Sequence, residues 1–138
     1  MGGIYEVLQT IKDRPGMYIG KSSITILGHF LVGYQFARSE LGLELSQEDA
    51  DFFKNFHPWI QRHFNVRTSN SWANIILLFT RDEKDALNSF FRLLDEFKQR
   101  DRTLDAEGEN VVTSYSVKAG KQVGEILQEE RLHSVSEI

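Results

Sequence analysis

A mainly α fold, a compact bundle of five or six helices with a short variable C-terminal segment, is what this sequence predicts. Three observations predict it. Apolar side chains recur every three or four residues along most of the chain, the spacing that gathers them on one face of a helix. Helix-starting and helix-stopping residues punctuate those stretches where each stripe begins and ends. Of the 138 residues, 41% are hydrophobic, including ten Phe and two Trp, enough to fill one core without disulfides or metal.

Ile4, Val7, Leu8 and Ile11 form one stripe on a short helix ending near Asp13. Pro15 disfavours helical geometry at Arg14, and Gly16 can take turn angles closed to other residues. Residues 14–20 therefore read as a shaped connection, pinned to the core by Met17, Tyr18 and Ile19. Ser22 or Ser23 caps a second helix running to about Leu41, where Gly42 stops it. Ile24, Leu27, Leu31 and Gln35 share one face, and Ile26, Phe30 and Tyr34 a neighbouring one. Two apolar faces predict a central helix covered from several sides. Gly28 and Gly33 each cost about 1 kcal/mol of helix propensity relative to Ala and are expected where another helix comes close.

Ser46 starts the next helix, with Glu48 and Asp49 at its positive end. Phe52, Phe53, Phe56, Trp59, Ile60, His63 and Phe64 give it a wide aromatic stripe, and Pro58 is expected to break or kink it. A cap within residues 69–71 precedes an apolar run read as helix over strand, because Trp72, Ile75, Ile76 and Phe79 keep helical spacing. Thr80 and Glu83 resemble a capping box for the clearest helix of the chain. Its buried stripe is Ala86, Leu87, Phe90, Phe91, Leu94 and Phe97. Asp82, Glu83 and Asp85 lie at its start and Lys98, Arg100 and Arg102 near its end, both favourable to the helix dipole. Beyond it, residues 105–110 read as a polar loop and 111–117 alternate as a short strand. Val123, Ile126 and Leu127 anchor a final helix, and residues 133–138 are expected to be mobile. The expected division is a helical core over 1–104 and a C-terminal extension over 105–138.

Composition narrows the chemistry. A formal charge of −4 gives no general attraction to nucleic acid, and the modest cluster of Arg62, His63 and Arg67 beside Trp59, Phe64 and Trp72 lacks phosphate-neutralising density. The absence of cysteine excludes thiolate catalysis and cysteine-ligated zinc. No apolar run approaches the roughly 20 residues that span a bilayer, and no basic stretch leads into a signal core, so a cytoplasmic protein is expected. His29, His57, His63 and His133 form no HExxH pattern. There is no GxSxG elbow, no P-loop and no GxGxxG turn. No catalytic, cofactor-binding or metal residue is assigned.

The run Arg14-Pro15-Gly16-Met17-Tyr18-Ile19-Gly20 resembles a segment near the N-terminus of type II topoisomerase ATPase domains. That resemblance implies a shaped turn feeding a core helix. It does not carry ATP hydrolysis over, because residues 28–37 supply neither the catalytic Glu nor the metal-binding Asn of that family. Nor is there a later Asp-x-Gly-x-Gly pattern. The same turn, with Trp59, Trp72 and the run from Phe90 to Phe97, resembles small bacterial helical proteins of toxin-immunity type. That implies neutralisation of a cognate toxin by direct binding.

The expected function is therefore a non-enzymatic protein-binding domain, with Arg14, Tyr18, Asp82, Glu83, Asp85, Asp95 and Glu96 as its contact residues. The alternatives are a small-molecule enzyme or sensor whose polar pocket gathers Tyr18, His29, Tyr34, His57 and Arg62, and a structural adaptor or homo-oligomer.

Overall fold

The computed structural model describes residues 2–105. The strand expected over 111–117, the final helix around Val123, Ile126 and Leu127, and the chain end at 133–138 lie outside them. Residues 1–100 form one compact unit, and a second begins at Asp101.

The described residues are mainly α, with six helices: α1 (Ile4–Asp13), α2 (Pro15–Tyr18), α3 (Ile24–Glu40), α4 (Gln47–Phe64), α5 (Trp72–Leu78) and α6 (Glu83–Lys98). Local chemistry sets most boundaries. The Ser23, Ser46 and Ser71 hydroxyls accept from the backbone N–H three residues on and so start α3, α4 and α5. Gly42, at φ 66°, ends α3: its N–H donates to the Ser39 carbonyl and that of Leu43 to the Arg38 carbonyl. Asn65, at φ 51°, closes α4 in the same way.

Two expected boundaries change. α4 runs as one helix through Pro58. A proline inside a helix costs about 3 kcal/mol, but Phe52, Phe56 and Ile60, buried on either side of it, hold both halves in register. α6 is capped by Asp82, whose carboxylate accepts from the Asp85 N–H at 2.8 Å, and not by Thr80. The Thr80 hydroxyl instead donates to carbonyls of α5.

α6 packs on α3 and α5, α4 on α5 and α1, and α3 on α5, so the short α5 is wedged among three long helices. Phe56 is the hub. Its ring centroid lies 5.0 Å from Phe52, 5.3 Å from Trp72, 5.5 Å from Phe90 and 5.2 Å from Phe97. The close approach expected at Gly28 and Gly33 does not require either glycine: a Cβ at Gly28 would make an ordinary 3.4 Å contact with that of Ala73 on α5, and one at Gly33 would meet nothing within 4 Å.

Two acidic side chains are drawn into the fold. Asp49 is buried, and its carboxylate accepts from the Ile4 N–H at 2.8 Å. Arg100 and Asp51 form a two-pronged ion pair at 2.6 and 3.2 Å, with the guanidinium 3.7 Å from the Phe97 ring centroid. α3 packs on α5 and α6 through the two faces expected to be covered: Ile24, Leu27 and Leu31 are buried, and Ile26, Phe30 and Tyr34 are partly buried against the core. Val32 and Phe36, which belong to neither face, are exposed.

Candidate functional site

The Pro15–Gly20 turn folds into a one-turn helix because Pro15 occupies its first position, where a missing N–H costs nothing. The Ile19 N–H closes the turn on the Pro15 carbonyl at 2.9 Å. Gly20 then reverses the chain at φ 82°, an angle that side-chain-bearing residues rarely take. Of the three residues expected to pin the turn to the core, only Ile19 does so. Met17 is 69% and Tyr18 42% exposed. One turn of helix cannot bury three successive side chains, so Ile19 enters the core and its two predecessors point outward.

The exit of this turn is fastened to α6. Glu83 accepts from the Ser23 hydroxyl at 2.9 Å, the Thr25 N–H at 3.0 Å and the Thr25 hydroxyl at 2.6 Å. The Thr25 hydroxyl, then its N–H, hold the Glu83 carboxyl below the usual range, with the nearby Lys21 charge acting in the same direction. Glu83 thus caps the N-terminus of α3 from another helix and sets the acidic start of α6 beside the start of α3. Asp85 is held low chiefly by the Arg81 N–H, and it pairs with the Arg81 guanidinium at 3.5 Å.

Of the residues expected at a protein contact, Arg14 and Tyr18 sit exposed on or beside α2, while Asp82, Glu83 and Asp85 gather at the start of α6. Asp95 and Glu96 are exposed about 20 Å further along that helix, at 1.5 Å per residue. Three of the seven thus lie at the start of α6 and two toward its end, while Arg14 and Tyr18 belong to α2 and its cap.

Of the five residues of the expected polar pocket, His57 alone lines a groove between α3 and α4, about 110 Å³ in volume. Leu31, Val32, Gln35, Phe53, Phe56 and Trp72 are among the residues that line it. It exists because α3 and α4 do not pack broadly on each other. Burial lowers the His57 pKa, so the ring is neutral at neutral pH. His29 is exposed on α3. Tyr34 lies beneath the Arg38 guanidinium at 5.6 Å, and Arg62 is in the last turn of α4. The exposed Val32 and Phe36 belong to neither expected site. Exposure of an apolar side chain leaves no mark in a helical repeat.

Among the described residues, no group of three or more His, Cys, Asp or Glu is placed to hold a metal ion, and no helix is long and apolar enough to cross a membrane. The chain matches no family model, no curated protein and no solved structure.

Proposed function

We propose that this chain is a non-enzymatic protein-binding domain whose contact surface is α2 together with the start of α6. The observation that carries this reading is the outward display of Met17 and Tyr18, beside Arg14, on a turn that Ile19 anchors and Gly20 fixes. Aromatic, methionine and arginine side chains are enriched in protein interfaces, and anchors on an ordered turn lose little freedom on docking. The carboxylates drawn into the fold support binding over catalysis. Asp49, Asp51 and Glu83 each hold structural hydrogen bonds of the fold.

In its finer form the proposal is that the partner is a cognate bacterial toxin, neutralised in the cytoplasm. Asp82 and Asp85 would complement a basic patch on it. The test is capture and inhibition of proteins encoded beside the gene. Tyr18→Ala and Met17→Ala should each weaken capture by roughly 30-fold, the value of a 2 kcal/mol anchor. Their unfolding midpoints should stay at the wild-type value, since both side chains are exposed. Binding to none of those proteins would overturn the toxin form. Binding that both substitutions leave intact would overturn the surface.

The α3–α4 groove favours a second reading, a small apolar ligand seated against Trp72 with His57 as its polar contact. Titration with indole, followed through the His57 and Trp72 ring resonances, separates the two. No shift at millimolar indole would remove it.

A further inference from the structure

The groove between α3 and α4 sets one titratable ring among side chains that carry no fixed charge. α3 faces His57 with Leu31, Val32 and Gln35, and α5 faces it with Trp72, so neither helix brings a titratable group to the groove. On α4 itself the charged residues nearest in sequence are Lys54, which is exposed, and Arg62, in the last turn. Burial lowers the His57 pKa, and no charged neighbour contributes.

Size and lining narrow what the groove can hold. At about 110 Å³ it is smaller than the roughly 150 Å³ apolar cavity that takes benzene in an engineered protein, and one side is open. A single aromatic ring fits, with an edge left in solvent. The ligand is neutral, because an ion there gives up water and meets no counter-charge. A neutral imidazole has one nitrogen that donates and one that accepts, and the Gln35 amide does both, so a hydroxyl on the ring finds a partner.

Occupancy and protonation of His57 oppose each other. The ring is half-buried, and a ligand seated against it removes water that still reaches it. Charging the imidazole then costs more with the ligand in place than without, and no lining carboxylate offsets that cost. By linkage, the ligand binds the neutral form more tightly.

We propose that the α3–α4 groove is a proton-linked site for a neutral, single-ring phenol, which it holds while His57 is uncharged and releases when His57 is protonated. This rests on the small-ligand reading of the groove and adds to it the class of ligand and the control of its release.

Titration of the full chain with phenol, followed through the His57 and Trp72 ring resonances from about pH 8 to about pH 5, tests it. Below the midpoint at which His57 titrates without ligand, affinity is expected to fall toward about tenfold per pH unit. Saturating phenol should move that midpoint further down. His57→Leu should still bind phenol but lose the pH dependence, and the midpoint shift is read in the wild-type chain whether or not that variant folds. Toluene, which lacks the hydroxyl, should bind roughly tenfold more weakly than phenol. Phenol affinity that is equal at every pH, a midpoint that phenol leaves in place, or pH dependence that survives in His57→Leu overturns the proton linkage while the groove remains a ligand site. Toluene binding as tightly as phenol overturns the class of ligand. Resonances that respond to neither phenol nor indole remove the groove reading and this inference with it.

Discussion

Asp49 sits at the third position of α4, where a carboxylate ordinarily serves its own helix. Here its Oδ1 receives the Ile4 N–H, one of the orphan donors at the start of α1, 45 residues away. Gly3 makes the approach possible, since a Cβ there would stand 2.6 Å from that oxygen. Asp49→Ala is expected to destabilise the unit by about 1–3 kcal/mol, because a buried N–H loses its acceptor. Asp49→Asn keeps an acceptor and should recover most of that loss. Gly3→Ala should destabilise in the same direction by displacing the carboxylate. Urea melts of the three variants decide it, and an Asp49→Ala protein as stable as wild type would refute this role. Sequence reading placed Asp49 correctly at a helix start, but the helix it serves was invisible there.

At the scale of elements, the buried faces of α1 and α6 were readable in the sequence, although the cap of α6 lies two residues after the Thr80 expected for it. Their apolar stripes lie on one side only, so the buried face follows from spacing. α3 was readable in part: the faces of Ile24, Leu27 and Leu31 and of Ile26, Phe30 and Tyr34 do pack on the core, but spacing left no mark of the exposure of Val32 and Phe36. Its N-terminus depends on a second borrowed carboxylate, Glu83. A carboxyl whose pKa is lower folded than unfolded gives stability that is complete above the ordinary value of 4.5. That stability is lost as pH falls through the lowered folded value. Glu83→Gln should therefore be less stable than wild type at neutral pH, with the gap narrowing at about pH 3. Asp85 and His57 also have lowered pKa values and weaken the fold in acid, so the difference between wild type and Glu83→Gln is the informative quantity. An equal gap at both pH values would exclude the charge as the cause.

For the molecule as a whole, Arg100 and Asp51 close the unit by tying the chain after α6 to α4. Their side chains are 5% and 12% exposed. Removing one partner of a buried pair typically costs about 3–5 kcal/mol, whereas replacing both with apolar residues is often neutral. Arg100→Met is thus expected to lose stability of that order and Arg100→Met/Asp51→Leu to regain much of it, read by denaturant midpoints. A double variant no better than the single would show that the pair contributes something other than mutual charge compensation.

Where serines start α3, α4 and α5, where Gly42 stops α3 and which faces of α1, α4 and α6 are buried were determined by the sequence itself. Each depends on neighbours within a turn or two, and local spacing records those. The tertiary structure alone decided the rest: Asp49 on α1, Glu83 on α3, Asp51 against Arg100, and the exposure of Met17, Tyr18, Val32 and Phe36. Those outcomes depend on which surfaces meet across 45 to 60 residues of chain. A periodic pattern says that a side chain is apolar, but whether anything covers it is settled only when the helices are assembled.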